Sequence, residues 1–109
     1  SLTIIKNDQR REPYDRQKLM HGIVAACKKR PVSLKKIESI VDRIENQIEK
    51  SGKMEIPSSE IGKLVMMELY ELDEVAYVRF ASVYRKFKDI SEFISEVKEM
   101  ESKSDEVRK

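Results

Sequence analysis

The sequence has few residues that could cross-link a small domain or bind a metal ion. Its 109 residues include one cysteine (Cys27), one histidine (His21) and no tryptophan. A single cysteine excludes an internal disulfide and a multi-cysteine zinc site, so we expect no zinc in this chain. The fold must therefore be stabilised by the packing of its apolar side chains.

Long apolar segments are also missing from the sequence. No stretch approaches the ~20 apolar residues of a membrane-spanning helix, and the first residues lack the pattern of a signal peptide. We therefore expect a cytoplasmic protein without membrane contacts. A Walker-type glycine-lysine loop, a nucleophile elbow and paired catalytic carboxylates are missing too, so we expect no enzymatic activity.

Charged residues are abundant, at 39% of the chain, and they are unevenly distributed along it. Residues 1–36 carry ten basic and three acidic side chains (+7), whereas residues 89–109 carry four and seven (−3). A cationic front segment attracts polyanions. On charge alone, nucleotide phosphate and the backbone of a nucleic acid are equally good candidates.

The apolar pattern predicts an α+β domain that is mostly α. Short strands are predicted at 2–6, 10–14 and 54–56, the first two joined as a hairpin. Helices are predicted at 16–29, from Ser33 to Ser51-Gly52, from Pro57 to Asp73, at 75–87, and from a capping box at 89–92 to Met100. These elements make a four- to five-helix bundle capped by a three-stranded sheet over residues 1–101, with a polar, disordered tail at 102–109.

Residue types at the helix ends strengthen these boundaries. Asp15 and Ser33 are suitable N-caps, and Gly52 suits the left-handed position after a helix. The helix at 75–87 is apolar around much of its circumference, which predicts a central helix covered by its neighbours.

Residues 4–18 form the most informative cluster, because a strand, a turn, a second strand and a helix start fall within one short segment. Lys6 and Lys18 can flank one anion, with free N–H groups of the helix start directed at it. Tyr14 could contact a base or ribose, and Glu12 or Asp15 could accept a hydrogen bond from an amine or a sugar hydroxyl. The alternative is that these charges are solvated and that Tyr14 is a core residue.

The same segment resembles the opening of the ATP-cone, the regulatory nucleotide-binding module of ribonucleotide reductases and of their transcriptional repressor. The similarity to the repressor's cone continues at Arg30-Pro31-Val32-Ser33, Ile56-Pro57-Ser58, Ile61-Gly62 and residues 72–87. It covers about residues 2–100, and residues 76–84 are its most specific part.

The resemblance implies a sensor that binds ATP or dATP with Mg²⁺. In that family the bound nucleotide changes how cones associate, and the oligomer controls DNA binding by the repressor. Carried over by position, the implied nucleotide-binding residues are Ile4, Lys6, Asn7, Glu12, Tyr14, Asp15, Lys18, Ser58, Tyr84 and Lys86. Ile4 would pack on the nucleotide, Lys6 and Lys18 would hold phosphate, and Tyr84 and Lys86 would close the site.

The sequence departs from the family pattern in the turn and in its cysteines. Asn7 stands where the family often has arginine, which Arg10 or Arg11 could replace, and Gln9 stands at the usual turn glycine. The repressors read promoter DNA through a zinc ribbon with two C-x-x-C pairs, and this sequence contains neither pair. The resemblance therefore implies promoter binding only through a ribbon outside this chain.

Three interpretations remain at the sequence level: a cone from the repressor, a cone from the catalytic subunit of a ribonucleotide reductase, and a helical bundle that binds DNA through its basic front. For the cones, the resemblance also implies a homo-oligomer. Met66 and Met67, with Leu69 and Tyr70, exceed what one core stripe needs, so the face around Met66, Met67 and Tyr70, together with the last helix near Phe93, is a candidate for a contact between cones. The alternative is a helix buried on two sides.

Overall fold

The computed structural model describes the backbone of residues 1–108 and the side-chain surroundings of residues 1–84 and 97–103. Its elements are β1 (Thr3–Ile5), β2 (Arg11–Pro13), α1 (Arg16–Ala26), α2 (Leu34–Ser51), β3 (Glu55–Pro57), α3 (Ser58–Leu72) and α4 (Glu74–Arg108). The predicted α+β class, mostly helical with one small sheet, is confirmed.

The sheet has the strand order β2-β1-β3, with β1 antiparallel to β2 and parallel to β3. Ile4 lies opposite Ile56, and both are buried. Three strands of three residues each are too short to be stable alone, so the sheet depends on its packing against the helices. The predicted third strand is confirmed.

Helix α1 begins as predicted but ends earlier. The Asp15 carboxylate accepts hydrogen bonds from the N–H groups of Gln17 and Lys18, which confirms the predicted cap. The helix stops at Ala26, so the predicted end at residue 29 is wrong. The residue before a proline disfavours the helical conformation, and the chain turns ahead of Pro31, with Lys29 at φ 61°.

Helix α2 supplies much of the core. Ser33 Oγ accepts a hydrogen bond from the Lys36 N–H, and Gly52 ends the helix with φ 72°, so both predicted caps are confirmed. Its apolar stripe packs with residues of α1, α3 and α4 into one cluster that includes Ile23, Ile37, Ile40, Val41, Ile44, Ile48, Val65, Leu69 and Ala76. Cys27 belongs to this cluster, and burial raises the pKa of its thiol.

Helix α4 differs from its prediction in length. It runs unbroken from Glu74 to Arg108, so the predicted helix boundary at residues 89–92 is wrong. Serine and aspartate fit a helix interior at a small cost, and the sequence contains no glycine or proline after Gly62. The helix also continues through residues 102–108, and the division between domain and tail at residue 101 stays a prediction.

Helix α4 is also less enclosed than predicted. Ala76 is buried and Phe80 packs on the core, but Val78 and Val83 are 54% and 71% exposed. The predicted central position is therefore wrong, because only one face of the helix meets α1 and α3. In the described part of the chain, no helix is both long and apolar enough to cross a membrane.

Candidate functional site

A cleft of about 490 Å³ opens between the hairpin turn, α1, the start of α3, and α4. The β1–β2 turn contributes two residues, α1 three, α3 six and α4 three. They are Lys6, Asn7, Lys18, Leu19, Gly22, Ser58, Ser59, Ile61, Gly62, Lys63, Val65, Phe80, Val83 and Tyr84. Four chain segments that are distant in sequence thus meet at one concave surface.

Cations are concentrated on the side formed by the turn and the helix starts. Lys6, Lys18 and Lys63 line the cleft. Glu12 Oε1 lies between the first two, 3.5 Å from Lys6 Nζ and 3.7 Å from Lys18 Nζ. One carboxylate thus bridges two lysines at the place where an exogenous anion would interact with both.

The start of α3 adds backbone donors to the same region. Ser58 and Ser59 are its first residues, and its N-cap residue, Pro57, provides no side-chain acceptor. The first N–H groups of a helix have no partner within the helix, and together with the helix dipole they favour a bound anion. Three lysines and one uncapped helix start therefore face the same cleft.

The rest of the cleft lining is mainly apolar. Phe80, Val83 and Tyr84 of α4 face Leu19 and Ile61 across it. The Tyr84 hydroxyl donates a hydrogen bond to the Ser59 carbonyl oxygen at 3.2 Å, which joins α4 to the first turn of α3. The Tyr84 ring lies directly on Gly62, where a Cβ atom would approach ring carbon Cε2 to 2.6 Å. The absence of a side chain at Gly62 thus allows the Tyr84 ring to approach α3 closely.

Half of the residues predicted for the site line this cleft: Lys6, Asn7, Lys18, Ser58 and Tyr84. Glu12 adjoins it through the two lysines. Ile4 is instead buried in the core, where its residual exposure is 7%. The carboxylate of Asp15 serves as the cap of α1. The side chains of Lys86 and Phe93 lie outside the described residues.

The structure does not bring Tyr14 to the cleft. Its hydroxyl donates a hydrogen bond of 2.7 Å to Glu45 of α2, and Arg16 donates to the same carboxylate and to Asp42. Burial, and then the Glu45 carboxylate, raise the pKa of Tyr14. This cluster ties the start of α1 to α2 and thereby holds the backbone that carries Lys18.

The two arginines considered as substitutes at the turn are also paired elsewhere. Arg10 Nε lies 2.6 Å from Asp8, and Arg11 Nε lies 3.0 Å from Glu55. The backbone N–H of Arg10, and then its side chain, lower the pKa of Asp8. Neither arginine lines the cleft, and the cation that the sequence analysis did not identify is Lys63. Its position one helical turn after Ser59 was the available signal.

Comparison with known proteins agrees with this geometry. Residues 2–90 match the ATP cone domain family. Proteins named "Transcriptional repressor NrdR" are similar over most of this chain: 59% identical in Geotalea daltonii over 89% of it, 56% in Syntrophotalea carbinolica over 96%, and 56% in Petrotoga mobilis over 93%.

The chain spans about two thirds of the length of these relatives, from 65% in Geotalea daltonii to 67% in the other two. The family match covers most of the chain, including the hairpin, α1, α3 and the α4 residues that line the cleft. The chain therefore belongs to the ATP-cone family and is a relative of the NrdR repressors.

Proposed function

We propose that this chain is the regulatory domain of a transcriptional repressor of ribonucleotide reductase genes, and that it binds ATP or dATP in the cleft. The observation that carries the proposal is the convergence of three lysines and an uncapped helix start on one cleft, the rest of which is lined mainly by apolar side chains. Family membership and the names of the relatives support the same role, which involves no catalysis.

The polyphosphate occupies the cationic side in this proposal. Lys6 and Lys18 hold phosphate oxygens, the N–H groups at Ser58 and Ser59 add hydrogen bonds, and Lys63 adds a third charge. A triphosphate displaces Glu12 from the two lysines because it carries more negative charge than one carboxylate. Mg²⁺ arrives on the phosphates, since this ion keeps several waters and is commonly held through substrate phosphates.

The base occupies the apolar side, against Phe80, Val83 and Tyr84. Val83 is 71% exposed, so a purine ring placed against it would remove apolar surface from water. Glu12, released from the lysines, is then available to accept a hydrogen bond from the exocyclic amine of adenine.

The experiment is calorimetric titration of the chain with ATP, dATP and GTP in the presence of Mg²⁺. We expect binding of both adenine nucleotides and weaker binding of GTP. Lys6→Ala and Lys18→Ala should each weaken ATP binding by about 1–3 kcal/mol, the range for charge-assisted hydrogen bonds. Absence of heat at millimolar ATP and dATP would contradict the proposal.

Lys98→Ala is the matched control for these variants. Lys98 is exposed on α4, far from the cleft lining, and its substitution removes the same charge. ATP affinity should stay at the wild-type value in this variant. An equal loss in all three variants would mean that net charge, and not the cleft, governs binding.

The proposal includes association of cones through α3. The surface, here the α3 face, surrounds a second groove of about 500 Å³ and consists of five α3 residues and one α4 residue: Lys63, Met66, Met67, Tyr70 and Glu71, with Tyr77 of α4. Met67 and Tyr70 are 67% and 69% exposed, so the alternative of a helix buried on both sides is wrong. An exposed apolar surface of this kind is typical of a binding interface.

A second copy of the chain is the partner that the charges favour. Lys63 and Glu71 lie four residues before and after Met67 on the same helix. A two-fold axis at Met67 would place Lys63 of each copy against Glu71 of the other, with the two methionines in contact at the centre. The face is thus complementary to itself in an antiparallel arrangement.

The alternative is a cone from the catalytic subunit of a ribonucleotide reductase. The names of the relatives favour the repressor. Two cysteine pairs of a zinc ribbon ahead of the cone would identify the protein as the repressor, because the repressor family carries them there. Promoter recognition belongs to that ribbon in the proposal. The cone contributes the response to the nucleotide.

A further inference from the structure

The basic front of the chain separates into paired and unpaired cations. Six of the ten basic residues in segment 1–36 lie within ion-pair distance of a carboxylate: Lys6, Arg10, Arg11, Arg16, Lys18 and Arg30. The other four have no such partner among the described residues, and all of them fall at the junction of α1 and α2: Lys28, Lys29, Lys35 and Lys36. We name these four residues the corner lysines.

Two arginines hold this corner rigidly against α4. Arg30 Nε donates to both carboxylate oxygens of Asp73, at 3.0 and 3.1 Å. Arg79 Nη1 donates to the carbonyl oxygens of Ala26 and Lys28, at 3.2 and 2.7 Å. Both arginines are therefore engaged by groups of this chain, and they attach the backbone that carries Lys28 and Lys29 at several points.

The corner lysines contribute nothing visible to the stability of the fold. All four are exposed, and Lys35 and Lys36 lie in the first turn of α2, where the helix dipole disfavours positive charge. No acidic residue occurs between Asp15 and Glu38 in the sequence. Four exposed lysines without an ion-pair partner among the described residues, on a segment that carries no acid, are suited to a polyanion.

We propose that the corner lysines contact the phosphate backbone of duplex DNA, without reading its sequence. This inference rests on the proposed function, because the relatives are named as transcriptional repressors, a class of protein that acts at DNA. The contact would add affinity and leave the choice of promoter to other parts of the protein.

The test measures fluorescence anisotropy of a labelled duplex of arbitrary sequence with the 109-residue chain, between 50 and 200 mM salt. Each phosphate neutralised contributes about −0.9 to the slope of log K against log salt concentration, so four lysines predict a slope of about −3 to −4. Lys28→Gln/Lys29→Gln and Lys35→Gln/Lys36→Gln should each reduce that slope by about half.

The matched control is Lys98→Gln/Lys103→Gln, which removes the same charge from exposed positions. Lys98 lies roughly 28 Å along α4 from Arg79, at ~1.5 Å per residue. The control should retain the wild-type slope. Equal losses in control and corner variants, binding of anionic vesicles but not of the duplex, or no duplex binding at 50 mM salt would each overturn the inference.

ATP titration of the same variants separates this inference from the proposed function. The corner lysines do not line the cleft, so ATP affinity should be unchanged in both corner variants. Normal ATP binding without duplex binding would reject the DNA contact alone. Absence of ATP binding by the wild-type chain would reject the proposed function instead.

Discussion

At the residue scale, one residue of the hairpin turn, Gln9, has a backbone conformation that is unfavourable for a residue with a side chain. Gln9 has φ 72°, in the left-handed region, and its N–H donates to the Lys6 carbonyl oxygen at 2.9 Å. A Cβ atom makes this region unfavourable by about 1–2 kcal/mol, whereas glycine adopts it freely. The family's usual turn glycine is thus explained by the backbone, and glutamine occupies the position at a cost.

We therefore expect Gln9→Gly to stabilise the protein. The substitution removes the energetic cost of the left-handed conformation, but glycine also has greater conformational freedom in the unfolded chain. The net gain in the free energy of unfolding is about 0.5–1 kcal/mol. Thermal unfolding followed by circular dichroism should show a melting temperature a few degrees higher. Gln9→Ala is the control, because alanine keeps the Cβ and should give no gain. Equal melting temperatures for the two variants would contradict the assigned turn.

The two helical glycines at the cleft should respond oppositely to alanine. At Gly62 a Cβ would approach the Tyr84 ring to 2.6 and 2.9 Å, whereas at Gly22 the nearest atom is Phe80 Cε2 at 4.0 Å. Gly22→Ala should stabilise by about 1 kcal/mol through helix propensity. In Gly62→Ala, overpacking of about 1–3 kcal/mol offsets the same gain and moves Tyr84 away from the Ser59 carbonyl.

The measurements are thermal unfolding and ATP titration of both variants. Gly62→Ala should weaken ATP binding because the Tyr84 ring shifts. Gly22→Ala should have the higher melting temperature of the two variants. If Gly62→Ala were as stable as Gly22→Ala and bound ATP normally, the close packing of Tyr84 on α3 would be ruled out in solution.

At the scale of elements, Asp73 connects three helices. Its carboxylate accepts the Ala76 N–H at 2.9 Å at the start of α4, and it pairs with Arg30 between α1 and α2. The Ala76 N–H, and then Arg30, lower the pKa of Asp73 below its ordinary value of 3.8. The charged form is therefore favoured by folding, and its contribution to stability is lost when the pH falls through the lowered pKa.

Asp73→Asn and Asp73→Ala separate the cap from the ion pair. Asparagine caps a helix about as well as aspartate but carries no charge, so Asp73→Asn loses only the pairing with Arg30. We expect the melting temperature at pH 7 to fall in the order wild type, Asn, Ala. At pH 3 the gap between wild type and Asn should narrow, because this pH lies below the ordinary pKa of 3.8, so the carboxyl group is largely protonated in the unfolded chain and its charge favours folding less. A gap of equal size at both pH values would mean that the ion pair adds no stability.

The helix boundaries illustrate what the sequence could predict. Asp15, Ser33 and Gly52 act through their own side chains or backbone freedom, so local chemistry was sufficient to place three helix ends. The continuation of α4 past Asp89 was missed because an aspartate followed three residues later by a glutamate is compatible with both a helix start and a helix interior. A stop signal such as glycine or proline would have been needed to distinguish them.

Residues of the cleft that are close to one another in sequence could be predicted, whereas residues that tertiary packing brings to the cleft could not. Lys6 and Lys18 were identified because a hairpin followed by a helix brings strand and helix start together. Lys63 and Val83 come from α3 and α4, whose placement depends on tertiary contacts across the core. Tyr14 shows the converse, since its partner Glu45 is 31 residues away and no local pattern connects them.

At the scale of the whole molecule, Lys63 links the two proposed functions. It lines the nucleotide cleft on one side and the α3 face on the other. A nucleotide phosphate that attracts Lys63 changes the charge available to Glu71 of a second copy. A ligand shifts association only if it binds the associated and separate forms with different affinity, and in the proposal this shared lysine is the source of that difference.

We therefore expect the average mass of the chain, measured by light scattering, to differ between the ligand-free protein and the protein with ATP or dATP. Met67→Glu should keep the chain monomeric, because it places two negative charges in contact at the proposed axis. The variant should fold and bind ATP normally, since Met67 is 67% exposed and lies outside the cleft. Identical masses under all three conditions would show that the switch of association by the nucleotide is not contained in this chain.

A charge exchange tests the two-fold arrangement itself. Glu71→Lys should weaken association by placing Lys63 against a lysine of the second copy, and Lys63→Glu/Glu71→Lys should restore it, because the exchanged charges again attract. ATP binding should be retained in Glu71→Lys and reduced in the double variant, which loses a cation from the cleft. The double variant should therefore associate without responding to ATP. If Glu71→Lys associated as well as the wild type, the antiparallel pairing about Met67 would be wrong even where Met67→Glu abolished assembly.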